Sequence, residues 1–196
     1  MFKFQFGGTQ YRISILFPAV LLWLLIRDAS GICLIALSAS VLHECGHVFA
    51  MFLFHKKPAS LHLSFYGVRL LLPSTQLLTL GQQTIVSLAG PLVNILCGIT
   101  FMLLQYSEIV VFTHVCLACI NLLPILPLDG GYILDGVCRC ICSPETATRF
   151  VRRCSVIVWG VFCIIAILTF YCDRSNFTLL FVSFYTGICL LFYKGN

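Results

Sequence analysis

The sequence predicts an all-α integral membrane protein: about six transmembrane helices with a short membrane-associated β-hairpin. Three observations carry that fold class. Of 196 residues, 60% are hydrophobic and only 10% charged, with a mean hydropathy of +1.01. An average soluble domain is about a quarter charged, because its surface must face water. The apolar residues fall into six blocks, and one alternating stretch follows the second of them. So little charge cannot cover a water-facing surface, and lipid must be the solvent. A secreted disulfide scaffold, a nucleic-acid binder and a disordered tail are all excluded.

The blocks run Ile13–Ile26, Ala29–Phe54, Leu77–Leu104, Ile109–Leu128, Cys154–Cys172 and Phe177–Tyr193. A span needs about 20 residues, and tilt and snorkelling widen that range. The first block is short and interrupted by Pro18, but Arg12 and Arg27 flank it and can snorkel. A signal peptide is the alternative there, with Lys3 and Arg12 ahead of the block, yet no clear small-residue cleavage site follows. With the N-terminus inside, the inner segments hold Lys3, Arg12, Lys56, Lys57, Arg69, Arg139, Arg149, Arg152, Arg153 and Lys194, and the outer ones only Arg27 and Arg174. That bias places both termini in the cytoplasm. The net charge of +5 is therefore a topology signal rather than a patch for acidic partners.

Two segments are not simple spans. In Ala59–Leu72, Leu61, Leu63 and Phe65 alternate with His62, Ser64 and Tyr66 before Gly67, a hairpin pattern. Gly130–Arg153 is polar, and Ser143, Pro144 and Glu145 mark a helix start ahead of the fifth block. Of the twelve cysteines, most lie in or beside apolar blocks, where cysteine behaves as a small hydrophobe. Cys138, Cys140 and Cys142 cluster in the polar segment, but no second ligand cluster nearby supports a structural zinc site.

Two acidic residues, Glu44 and Asp129, are embedded in apolar blocks. An ionisable group at bilayer depth marks a functional site by default. Glu44 lies within His-Glu-Cys-Gly-His, residues 43–47. On a helix, His43 and His47 project from one face and can bind one metal ion, with Glu44 beside the first of them as a base. Zinc lowers the pKa of its water to about 7. Two satisfied core histidines and a buried acid are the alternative, a costly one inside a membrane. A catalytic zinc usually has three protein ligands. Asp129, in NLLPILPLDGG (residues 121–131), is the candidate for the third. Pro124 and Pro127 break the helix, and Gly130 and Gly131 permit a tight turn there. A capping aspartate at a helix end is the other reading of Asp129. Asn121 lies at membrane depth, suited to hydrogen-bonding a substrate backbone or a ligand. In Ala89-Gly90-Pro91-Leu92-Val93-Asn94, small residues beside proline permit a kink and a close helix approach. Asn94 there could donate to water or substrate, or serve packing. His62 and His114 read as interfacial or structural, and His55 as surface.

The order of HECGH, AGPLVN and NLLPILPLDGG resembles the site-2 protease family of intramembrane zinc metalloproteases. The six-span layout is most similar to the sporulation factor IVB-type branch, which processes a membrane-associated pro-sigma factor. The resemblance covers roughly residues 10 to 193 and makes 1–196 a single intramembrane metalloprotease domain, with no separate soluble domain. It implies one Zn²⁺ per chain on His43, His47 and Asp129, Glu44 as catalytic base, and Asn121 and Asn94 assisting the substrate or transition state. The hairpin is similar to the family's membrane-embedded strand region. The implied activity is hydrolysis of a peptide bond in or beside a substrate transmembrane segment, near the cytoplasmic side of a bacterial cell membrane. A membrane-protein substrate, a regulatory membrane partner and no nucleic acid follow. Unlike the sporulation type, no nucleotide-sensing domain follows the last span. Unlike the envelope-stress branch, no peptide-binding module separates the spans.

Other classes remain. A catalytically inactive relative that binds spans is the alternative function, but it has no need of Glu44 beside the metal. A metal transporter would line a path with ligands rather than converge them. A protease of lipidated tails would share the HECGH pattern without the Asp129 motif. Counting back from Phe54, His47 and His43 should lie roughly 10 to 16 Å below the cytoplasmic surface. Leu61–Tyr66 is expected to offer an edge to an unwound substrate, with Asn121 fixing the extended chain, or else to plug the membrane surface.

Overall fold

The computed structural model describes residues 2–6, 9–13, 22, 25–28, 30–56, 60–64, 67–71, 77–174 and 177–192. The first apolar block, Ile13–Ile26, falls mostly outside these residues, Pro18 included. So do Lys57, Phe65, Tyr66 and Lys194. The chain groups into two compact units, Met1–Ala118 and Cys119–Asn196.

The first unit opens on strands. β1 (Phe2–Phe6) and β2 (Thr9–Ile13) pair antiparallel, β2 runs parallel to β3 (Ser60–Ser64), and β3 pairs antiparallel with β4 (Gly67–Leu71). The sheet order is β1-β2-β3-β4. This corrects the expected role of Leu61–Tyr66. Leu61 faces Tyr11 on one side and Leu70 on the other, so β3 is interior and has no edge to offer. The cause is the N-terminal segment, which supplies two further strands, Phe2–Phe6 and Thr9–Ile13.

Helices α1 (Ile32–Leu53) and α2 (Leu80–Leu103) follow, each long and apolar enough to cross a membrane. At 1.5 Å per residue each is roughly 33 to 36 Å long, matching a hydrocarbon core of about 30 Å. Asp28 serves the start of α1: its carboxylate accepts from the Cys33 amide at 2.6 Å and from the Ser30 amide at 3.0 Å. Gly31, at φ 76°, takes the left-handed turn into the helix. α2 begins with a capping box, Thr79 and Gln82 each accepting the other's backbone N–H. Ala39, His43, Gly46, His47, Ala50 and Met51 form the buried stripe of α1, and Ser87, Gly90, Pro91, Asn94 and Gly98 that of α2. Both stripes repeat every three to four residues, and their small members let the backbones approach. A Cβ on Gly46 would sit 2.8 Å from the Ala89 carbonyl oxygen. The outer faces carry lipid-suited side chains such as Phe49, Phe52 and Leu103.

α3 (Glu108–Asn121) is a shorter apolar helix that ends in the second unit. It stops seven residues short of the end of the fourth block, because Pro124 and Pro127 lack the donors a helix needs. α4 (Asp129–Ile141), α5 (Pro144–Cys172) and α6 (Thr178–Phe192) follow. Ser143 is the N-cap of α5 and Pro144 opens it, as the sequence predicts. α5 thus starts ten residues before the fifth apolar block and is the third helix long and apolar enough to span. Arg139 ties α4 to α5, binding Asp135 at 2.8 Å and the Thr148 hydroxyl at 3.2 Å. Trp159 donates to the Ser183 carbonyl at 2.9 Å, and its ring fills the space that the missing side chain of Gly187 leaves on α6.

Candidate metal centre

His43 and His47 lie one turn apart on α1, 5% and 8% exposed, with their rings edge to face. Their Nε2 atoms face one another at 3.1 Å. Three residues of α2, spaced by four and therefore on one face, hold them. The Val86 carbonyl accepts from His47 Nδ1–H at 2.7 Å. A carbonyl can only accept, so the His47 proton sits on Nδ1 and its Nε2 keeps a lone pair. The Asn94 carboxamide nitrogen lies 3.0 Å from His43 Nδ1. Between them, Gly90 clears the space: a Cβ there would collide with His47 Nε2 and stand 2.8 Å from His43 Nε2. The glycine of AGPLVN therefore makes room for two imidazoles, a role beyond the helix approach read from sequence.

Asn94 is fully buried, and the other end of its carboxamide meets His114 Nδ1 at 3.2 Å. Both ends of the side chain are engaged within the protein. His114, 2% exposed on α3, packs its ring 5.4 Å from Phe101. Glu44 is half-buried beside His43.

In the second unit, Asn121 is the last residue of α3 and Asp129 the first of α4, both half-buried. The turn between them is fixed by groups the sequence did not flag. Fully buried Ser155 of α5 accepts from the Leu126 amide at 3.1 Å, while its hydroxyl lies within hydrogen-bonding reach of the Val151 and Pro124 carbonyls. Leu128 accepts from the Gly131 amide at 3.0 Å and starts α4. Gly130 and Gly131 serve close packing rather than a turn. Both lie in the helix, and a Cβ on Gly130 would run into the Leu122 and Leu123 carbonyls, one on Gly131 within 2.8 Å of Ile125.

The cysteine group gains no support as a metal site. Cys138, Cys140 and Cys142 do not converge as a donor set among the described residues. Burial pushes the Cys138 thiol up, and the neighbouring Cys142, Cys154 and Asp135 add to this, so it stays protonated.

A solved structure is similar to the whole chain. The site-2 protease from Methanocaldococcus jannaschii superposes with a TM-score of 0.69 at 20% identity, covering 97% of this chain and 93% of that one. The likeness establishes the fold. No protein-family model matches the sequence, and no curated protein matches it.

Proposed function

We propose that this protein is an intramembrane zinc metalloprotease, with one zinc ion held by His43, His47 and Asp129 and with Glu44 as the base. The observation that carries the reading is the facing pair of imidazole nitrogens. Two nitrogens bound at 2.0–2.1 Å to a tetrahedral ion stand about 3.3 to 3.4 Å apart. The His43 and His47 Nε2 atoms are 3.1 Å apart and are backed on their far sides by Val86 and Asn94. Two imidazoles and a carboxylate are a catalytic zinc's usual donor set. When bound, zinc would supply the Lewis acidity that makes a water reactive near neutral pH. Glu44 then takes the proton of the attacking water and returns it to the leaving amine. Asn121 holds the substrate backbone, and Asn94 acts from behind His43 rather than on the substrate.

The substrate is a transmembrane or membrane-adjacent segment of another membrane protein. A helix hides its backbone in its own hydrogen bonds, so the segment must be opened before it is cut. With β3 interior, β4 is the strand of this region whose second edge is unpaired among the described residues, and Gly67–Leu71 is assigned to the opened chain. The positive-inside pattern supports both termini in the cytoplasm, and the six-block layout of the sequence supports the sporulation factor IVB-type branch and, with it, a bacterial cell membrane. A regulatory membrane partner would then control access.

The test compares wild type with Glu44→Gln in detergent, using a reporter span as substrate. Retained zinc with abolished cleavage supports the reading. Cleavage by Glu44→Gln at the wild-type rate refutes the catalytic assignment, and an inactive wild type with bound zinc points to the span-binding alternative.

A further inference from the structure

An imidazole sealed inside an apolar unit is expensive unless it does something there. His114 is such a group: it lies on α3, and its Nδ1 reaches Asn94 at 3.2 Å while the other end of that carboxamide reaches His43 at 3.0 Å. We infer that His114 is a positioning residue of the metal centre, acting through Asn94 to set which nitrogen His43 presents to the ion. The inference rests on the proposed zinc site.

The argument is one of donors and acceptors. In the structure Asn94 Nδ2 donates to His43 Nδ1, so the His43 proton lies on Nε2, pointing at His47. A ligand needs the reverse, with the proton on Nδ1 and a lone pair on Nε2. Half a turn of the carboxamide supplies it: the oxygen accepts from His43 Nδ1–H, and the nitrogen donates to His114 Nδ1. The partner at position 114 must therefore be able to donate in one arrangement and accept in the other. Imidazole Nδ1 can do both, whereas a backbone carbonyl can only accept. An apolar side chain would strand one end of a fully buried carboxamide and leave the His43 ring unsupported.

Removing an outer hydrogen-bond partner of a metal ligand typically lowers metal affinity about 10- to 100-fold. His114→Phe keeps a ring against Phe101 and should lower Zn²⁺ and Co²⁺ affinity by about that factor, with an altered Co²⁺ absorption band. His114→Asn places an amide where Nδ1 stood and should restore affinity to within a few-fold. In an Asn94→Ala background, His114→Phe should add nothing, since the two act in series. The full-length variants are measured in detergent by chelator competition, with metal-free melting as the check on folding. Wild-type affinity in His114→Phe, alongside loss in His43→Ala, would overturn the inference while leaving the metal centre standing. So would failure of His114→Asn to restore binding. A wild type that binds neither ion removes the metal reading itself.

Discussion

Replacing Gly90 by alanine tests the metal centre most directly, because the added atom points at both imidazoles. The new Cβ would stand 2.8 Å from His43 Nε2, where ordinary contact begins at 3.4 Å, so that ring must retreat by about 0.6 Å. The contact with His47 Nε2 is closer still. Metal sites tolerate ligand displacements of about 0.2 Å. Moving the helices apart instead would open the close contact of Gly46 with the Ala89 carbonyl and lose packing along the seam. Overpacking of this kind costs about 1–3 kcal/mol, or about fivefold to 150-fold if it falls on metal affinity. Gly160→Ala is the control: nothing lies within 4 Å of its Cβ, and alanine in a helix interior should stabilise by about 0.5–1 kcal/mol. Zinc content after gel filtration, zinc affinity by chelator competition and metal-free melting separate loss of ligands from loss of fold. If Gly90→Ala bound zinc as tightly as wild type, the facing nitrogens would not be the ligand pair.

Three more outcomes are expected. Ser155→Ala leaves the buried Leu126 amide without its partner and should destabilise by about 1–3 kcal/mol in denaturant unfolding, with activity falling as the turn carrying Asp129 loosens; unchanged unfolding would show that the hydroxyl does not hold the turn. Asp129→Ala should lower zinc content as well as cleavage, because two imidazoles alone fall short of a catalytic zinc's usual ligand set; full zinc occupancy would remove Asp129 from that set. Asp28 is held below the usual carboxylate range by the Ser30 hydroxyl first and the Cys33 amide next, so its support of α1 is present above that range and is lost as pH falls through the depressed value. Melting of wild type against Asp28→Asn should show an advantage at neutral pH that shrinks in acid; an advantage that instead grows in acid would contradict that sign.

Much of this was legible in the sequence because membrane burial makes polar residues conspicuous. His43, Glu44, His47 and Asp129 stand out against apolar neighbours, and proline spacing marks the end of α3. The sheet was only half legible. Ala59–Leu72 alternates, but its pairing with Thr9–Ile13 joins segments some fifty residues apart and leaves no local trace. Ser155 was invisible for a similar reason: its partner, Leu126, is 29 positions away. Thr79 and Gln82 did carry a readable signal, the T-x-x-Q capping pattern at the edge of an apolar block.

The buried polar groups of the first unit also explain how such a centre can exist inside apolar helices. His114, Asn94, His43 and His47 form one directional chain that ends on the Val86 carbonyl. Each member bonds to the next, which lowers the cost of placing these groups in a medium that cannot solvate them. Binding an ion would exchange a single link of that chain, the one between the two Nε2 atoms, for two coordinate bonds. The remaining links persist once the carboxamide has turned. The histidines can thus be sealed from lipid, held in register by α2, and still be available as ligands, which is what a metal centre at membrane depth requires.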